Sequence, residues 1–170
     1  IIVLANNAAE TGELAGTDLA AFTDSMEEVL VSLSKQVARD GEGATKLITI
    51  RVAGAADETS GRTVGLSVAN SNLVKTAVFG RDPNWGRILC AMGYAGVDFD
   101  PDRARVSMAG IPIYGGDGGG LKFDHDAAVK ALGAEEIEID IDLNAGSAEA
   151  TVYTCDLTYD YVRINAEYTT

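Results

Sequence analysis

Glu42 lies between two glycines in the segment Asp40–Lys46, which reads Asp-Gly-Glu-Gly-Ala-Thr-Lys. Glycine lets a backbone come close to a ligand, so a carboxylate in this setting suggests a binding role. The segment lacks the spacing of a Walker phosphate loop, and it follows a predicted helix rather than a strand. A turn that ends the helix is the alternative, and the residues alone leave both roles of Glu42 open.

The C-terminal end of the chain is dense in side chains that form hydrogen bonds. They are Asp156, Thr158, Tyr159, Asp160, Tyr161, Asn165, Tyr168, Thr169 and Thr170. Chain ends usually fray, so these groups would contribute little unless they dock against something polar. A ligand-binding site and a subunit interface explain this composition equally well.

Other residues capable of chemistry do not form a self-contained catalytic set. A Ser-His-Asp or Cys-His unit would have to use His125, the single histidine, which lies at a predicted helix start where exposure is expected. One histidine with the distant Cys90 and Cys155 does not predict a zinc site, and we expect no metal and no cofactor.

The glycine-rich loop 115–120 lacks dinucleotide-binding spacing and predicts a hairpin connection. Trp85 is expected to be a buried aromatic beside a helix cap, with pocket lining as the alternative.

The composition limits the class of partner. The chain has 170 residues, of which 46% are hydrophobic and 23% charged, and its net charge is −13. An acidic surface repels phosphate backbones, so nucleic acid is not expected as a partner. No apolar stretch approaches the roughly 20 residues that span a bilayer. Two cysteines do not form a disulfide framework, which suits a cytoplasmic protein.

Helices and strands alternate in the first half of the sequence. A buried strand is predicted over 1–6, and because the chain opens inside it we expect a segment before Ile1. Apolar residues at three- and four-residue spacing then predict an amphipathic helix that is capped by Thr17, ends near Asp40 and has one face toward a core. The other elements predicted for this half are a strand at 46–52, a helix at 62–71, a strand at 73–79, and a helix capped by Asp82 with Pro83 at its first position.

Strands dominate the second half. The predicted elements are strands at 104–114, 121–123, 136–143 and 148–154, and helices at 124–132 and 157–164. Acidic and aliphatic residues alternate over 136–143, which predicts a strand with an acidic solvent face. The strand at 148–154 is expected to pair with it as a hairpin. The pattern predicts an α/β or α+β fold, with a smaller lobe at about 80–132.

Four blocks together resemble the β chain of ornithine acetyltransferase, the bifunctional glutamate N-acetyltransferase of arginine biosynthesis. The blocks are Asp40–Lys46, Val68–Ser71 with Val74–Ala77, Asp82–Ile88 and Cys155–Tyr168. They follow the family's order over nearly the whole chain. Each block alone is weak, whereas the combination is highly specific.

The resemblance implies a fold and a chemistry. The fold is that of N-terminal-nucleophile enzymes, with stacked β-sheets flanked by helices in an αββα arrangement. The precursor cuts itself before a threonine, whose hydroxyl takes the acetyl group of N-acetylornithine and passes it to glutamate, with the threonine's own amine as base. Some members also accept acetyl-CoA. The implied partner is the α chain of the same precursor, in a cytoplasmic α2β2 assembly.

The resemblance assigns substrate contacts to Glu42, Asn165 and Thr170, residue by residue. The threonine nucleophile and the oxyanion-hole donors belong upstream of Ile1, so no residue of this chain is expected to be catalytic. Two alternatives stay open at this point: an N-terminal-nucleophile aminopeptidase or amidase, and a non-catalytic interaction domain that stabilises a partner chain.

Overall fold

The computed structural model describes residues 2–4, 6, 8, 12–116 and 118–167. The chain divides into two compact units, Ile1–Val37 and Ala38–Thr170. The predicted smaller lobe at about 80–132 stays a prediction. None of the helices in the described part of the chain is long and apolar enough to cross a membrane.

The first helix, α1 (Gly16–Arg39), confirms the predicted amphipathic helix, but it begins at Gly16, so the predicted cap Thr17 is instead its second residue. None of its residues is buried, and Phe22, Val29 and Val37 are exposed. The prediction that one face of this helix packs against a core stays a prediction.

The strand predicted over 1–6 is not found in the part of that segment that the structure describes. Residues 2–4 and 6 have no regular secondary structure and are exposed. Residues 1 and 5 lie outside the described part. An apolar run becomes a strand only when a neighbouring strand pairs with its backbone, and none of the described strands does so.

A five-stranded sheet with strand order β3-β2-β4-β1-β5 organises the second unit. Its strands are β1 (Leu47–Ala55), β2 (Arg105–Met108), β3 (Ile111–Tyr114), β4 (Glu136–Asp142) and β5 (Ala148–Cys155). β1 is parallel to β4 and antiparallel to β5. This mixed sheet with flanking helices confirms the α/β class. The second, stacked sheet of the expected αββα arrangement is not among the described residues.

The described part of this unit also contains five α-helices. They are α2 (Glu58–Ala69), α3 (Asn72–Phe79), α4 (Trp85–Gly93), α5 (His125–Ala131) and α6 (Tyr159–Glu167). The side chains of Asp57, Ser71, Asn84 and Asp124 cap α2 to α5, and each accepts the backbone N–H of the third residue of its helix. These caps satisfy N–H groups that a helix start otherwise leaves unpaired.

The strand predicted at 73–79 is wrong, because this segment is helix α3. Short apolar runs do not distinguish a strand from a buried helix. Here the Ser71 cap starts a helix, and its spacing brings Val74, Ala77 and Val78 to one buried face.

Two boundary predictions also need correction. The cap of α4 is Asn84 rather than Asp82, and the Asn84 amide donates a hydrogen bond to the Asp82 carboxylate at 3.0 Å. Asp82 therefore orients the residue that caps the helix, and α4 begins at Trp85, after Pro83. The predicted strand at 121–123 has no regular structure; only Gly120 forms a bridge, to Tyr114.

The hairpin predicted between 136–143 and 148–154 is wrong, because β1 lies between β4 and β5. The connection crosses the end of β1, where the Ala145 N–H donates to the Gly54 carbonyl at 2.7 Å. β1 is an interior strand with a neighbour on each side, and its residues Ile48, Ile50 and Val52 are almost fully buried. An interior strand loses most of its surface to the strands beside it, which suits aliphatic residues.

The core lies between one face of the sheet and helices α2, α3 and α4. The predicted alternation of β4 is confirmed, since Ile137, Ile139 and Ile141 are buried while Glu136 and Glu138 are exposed. Gly65 lets α2 approach the sheet, because a Cβ there would lie 2.9 Å from a methyl group of Val152.

Candidate functional site

Glu42 lies in a tight turn between α1 and β1, here called the Glu42 loop (residues 40–46). The turn is closed by a hydrogen bond from the Ala44 N–H to the Gly41 carbonyl at 2.9 Å. Gly43 has a φ of +66°, a conformation that residues with a side chain rarely adopt. The Glu42 side chain is exposed. The loop thus ends the helix and presents a carboxylate to solvent.

The glycines of this loop allow a close approach by the chain itself. A Cβ on Gly43 would lie 2.8 Å from the Tyr161 nitrogen, and one on Gly41 would lie 2.6 Å from the Cys155 sulfur. Both neighbours belong to residues 155–167, here called the C-terminal segment. The glycines therefore serve the contact between the Glu42 loop and this segment.

Asp156 anchors the C-terminal segment to the end of the loop. Its carboxylate accepts hydrogen bonds from the Thr45 N–H at 2.8 Å and the Lys46 N–H at 2.9 Å. It also accepts one from the Thr45 hydroxyl at 2.5 Å. A second buried side chain, Thr158, donates its hydroxyl to the Gly43 carbonyl at 2.7 Å.

Asn165 contacts Glu42 directly, across 123 residues of sequence. Its amide donates to the Glu42 carboxylate at 2.7 Å and to the Tyr161 carbonyl at 2.9 Å. Two of the three predicted substrate contacts are thus brought together. The third, Thr170, lies outside the described residues.

This pair leaves acceptor atoms for a ligand. Among the described residues, no hydrogen bond reaches the second carboxylate oxygen of Glu42 or the amide oxygen of Asn165. A carboxylate and an amide oxygen both accept hydrogen bonds, and the negative charge strengthens a bond from a cation. The arrangement is chemically suited to an ammonium group.

Lys46 supports the loop from the side of the core. It is 8% exposed, and its ammonium group donates to the Val78 carbonyl at 3.2 Å and the Leu132 carbonyl at 2.5 Å. Burial, and then the nearby Arg81 cation, lower the pKa of Lys46, while Asp156 acts in the opposite direction. These carbonyls end α3 and α5, so Lys46 ties both helix ends to the start of β1.

The end of α3 also contacts the C-terminal segment. The rings of Phe79 and Tyr159 meet edge to face, with centroids 5.5 Å apart. Arg81 has a φ of +57°, which is uncommon for a residue with a side chain.

Sequence reasoning named the blocks that contain Lys46 and Asp156 but assigned neither residue a role. The signal in the sequence was a charged residue at the end of a predicted strand: Lys46 begins the one at 46–52, and Asp156 follows the one at 148–154.

Other residues considered from the sequence have structural contacts. His125 is exposed at the start of α5, as predicted, and its ring stacks on Phe123. Trp85 packs against Tyr114, with ring centroids 5.2 Å apart, and against Gly120. It is 37% exposed, so burial is only partial. No group of three or more His, Cys, Asp or Glu residues within the described ranges is placed to hold a metal ion.

The chain is similar to known proteins over its whole length. Arginine biosynthesis bifunctional protein ArgJ of Thermus thermophilus is 51% identical over 152 residues, which cover 89% of this chain and 39% of that protein. Glutamate N-acetyltransferase of Methanopyrus kandleri is 44% identical over 174 residues, which cover 100% of this chain and 44% of that protein. The chain therefore spans less than half the length of these curated relatives.

A solved structure supports the fold. The crystal structure of arginine biosynthesis bifunctional protein ArgJ from Bacillus halodurans superposes with a TM-score of 0.92 at 39% sequence identity. The match covers 98% of this chain and 79% of that one. The model of the ArgJ family matches residues 1–170, so this chain belongs to the ArgJ family.

Proposed function

We propose that this chain is the C-terminal part of an ornithine acetyltransferase, which moves an acetyl group from N2-acetyl-L-ornithine to L-glutamate. The observation that carries this proposal is the hydrogen bond between Glu42 and Asn165. The family resemblance assigns a substrate contact to each of these residues separately, and they are 123 positions apart in the sequence. Their direct contact supports a common site.

The chain's own contribution is to hold the amino-acid part of the substrates. N2-acetylornithine keeps a free ammonium group on its side chain, which the Glu42 carboxylate would bind through a charge-assisted hydrogen bond. The Asn165 amide both orients that carboxylate and offers an oxygen of its own. Held in this way, a substrate loses the freedom that would otherwise slow the reaction. Thr170 is proposed as a further contact.

The covalent chemistry is proposed to lie in the part of the precursor before this chain. A threonine hydroxyl attacks the acetyl carbonyl, its proton passes through the threonine's amine to the leaving nitrogen, and ornithine departs. The glutamate amine then attacks the acetyl-threonine ester, which yields N-acetylglutamate and restores the hydroxyl. We further propose a cytoplasmic α2β2 assembly with the α chain of the same precursor.

Replacing Glu42 tests the site. In the complete enzyme, Glu42→Ala should raise the KM for N-acetylornithine about ten- to a hundredfold, the effect of losing a hydrogen bond to a charged group. Self-cleavage into two chains, followed on a denaturing gel, should remain largely intact. Glu149→Ala removes the same charge from an exposed position on β5 and serves as the matched control.

Two results would count against this function. Wild-type turnover of N-acetylornithine by Glu42→Ala would show that the substrate site is assigned to the wrong residues. Acetyl release at the same rate with and without glutamate would indicate a hydrolase, with water rather than an amino acid as acceptor.

A further inference from the structure

We propose that Asp156 is a positioning residue, which sets the arrangement of the Glu42 loop and the C-terminal segment in which Glu42 and Asn165 bind an amino acid. Asp156 does not itself touch the substrate in this scheme. Its role rests on the proposed function of Glu42 and Asn165, and it acts through them.

Asp156 is placed at the junction between β5 and α6, and it is 3% exposed. All three hydrogen bonds to its carboxylate come from Thr45 and Lys46, at the end of the Glu42 loop. Its own N–H donates to the Lys46 carbonyl at 3.3 Å. A buried carboxylate whose donors all come from one short segment fixes that segment closely, because any movement leaves buried groups unpaired.

The contacts between the loop and the C-terminal segment run in order from buried to exposed. Asp156 and Thr158, which are 3% and 5% exposed, make the inner contacts to Thr45 and Gly43. The outer contact, from Asn165 to Glu42, is exposed. Exposed hydrogen bonds exchange readily with water, so the inner contacts set the position of the outer pair. The substrate then meets a pair that is already arranged.

The KM distinguishes a positioning role of Asp156 from a purely structural one. If Asp156 only stabilised the fold or the charge of Lys46, its replacement would lower the fraction of active enzyme without changing the KM. If it positions Glu42, its replacement raises the KM of the enzyme that remains folded.

The test uses the complete enzyme that contains this chain, in four forms: wild type, Asp156→Asn, Glu42→Gln and the double variant. Asp156→Asn keeps the shape but replaces one acceptor oxygen by a donor group. We expect its KM for N-acetylornithine to rise about five- to tenfold, with kcat within about twofold. In the Glu42→Gln background the same change should add little, because two residues that act through one contact are not additive.

Asp57→Ala is the matched control, because it removes another carboxylate that accepts a backbone N–H, the cap of α2. It should lower the unfolding temperature and leave the KM unchanged. The role of Asp156 is refuted if Asp156→Asn behaves in the same way. It is equally refuted if its full effect on KM persists in the double variant. An unchanged KM in Glu42→Gln alone would overturn the proposed function, and the role of Asp156 with it.

A milder variant covers the case in which Asp156→Asn does not fold. Thr45 is exposed, and Thr45→Val removes one of the three hydrogen bonds while leaving both backbone donors in place. We expect a KM rise of about two- to threefold, restored by Thr45→Ser, which keeps the hydroxyl. An unchanged KM in Thr45→Val would again argue against positioning.

Discussion

At the scale of single residues, Gly43 meets two demands at once. Its φ of +66° favours glycine, and its missing side chain leaves room for the backbone of α6 at Tyr161. The sequence indicated that the backbone at Gly43 could come close to another group, and it suggested that this group was a ligand. The neighbour is instead a segment more than 100 residues away, which no local pattern reveals.

Replacing Gly43 by alanine should affect both stability and binding. The left-handed backbone costs about 1–2 kcal/mol for a residue with a side chain. The new methyl group also displaces α6 and with it Asn165, so the KM for N-acetylornithine should rise in the complete enzyme. Thermal unfolding and steady-state kinetics measure the two effects.

Gly96→Ala separates strain from displacement. Gly96 has a similar φ of +68°, but a Cβ there would meet nothing within 4 Å. It should cost similar stability and leave the KM unchanged. Equal KM values for Gly43→Ala and Gly96→Ala would show that the contact with α6 does not matter for binding.

At the scale of elements, α6 is a short helix with little of its own stability. It has nine residues, none of which is buried. Isolated helices of this length are marginal in water. Its start is set by Thr158, whose hydroxyl accepts the Tyr161 N–H at 3.3 Å and donates to the Glu42 loop. The sequence predicted the helix, and the structure shows that hydrogen bonds from Thr158 and Asn165 attach it to the Glu42 loop.

Deleting Ala166–Thr170 should therefore impair the site. The deletion removes the last two residues of α6, which leaves Asn165 at the end of the helix, where a helix frays, and it removes the proposed contact of Thr170. In the complete enzyme we expect a higher KM for N-acetylornithine or loss of activity. Unaltered kinetics would refute a role for this end. Thr170→Ala, measured beside it, isolates the contribution of the threonine side chain.

The segment 73–79 was predicted as a strand but is helical. Valine, threonine and phenylalanine in a short apolar run favour a strand locally. The segment is helical because Ser71 caps it and its buried face packs in the core. Packing outweighed propensity, as it usually does for elements of this length.

At the scale of the whole molecule, Lys46 links the sheet to two helix ends and carries a buried charge. The pKa of Lys46 is lowered from 10.5, chiefly by burial. Between the lowered pKa and 10.5 the unfolded chain binds more protons than the folded one. Stability attributable to Lys46 must therefore rise with pH across that window.

Comparing wild type with Lys46→Met checks this expectation. The difference in unfolding temperature, wild type minus variant, should grow in favour of wild type as the pH rises toward 10.5. Lys122→Met removes an exposed lysine and controls for the loss of charge. A difference that stays constant or shrinks over this range would contradict the assignment.

The sequence by itself determined the α/β class, the amphipathic pattern of α1, the two-faced pattern of β4 and the blocks that identify the family. These features depend on neighbours a few residues apart, whose spacing is visible in the chain. Only the tertiary structure decided that β1 lies between β4 and β5, and that Glu42 meets Asn165 over an anchor formed by Asp156. Such contacts join residues roughly ninety or more positions apart, and they are selected by the burial of side chains and the pairing of polar groups in three dimensions.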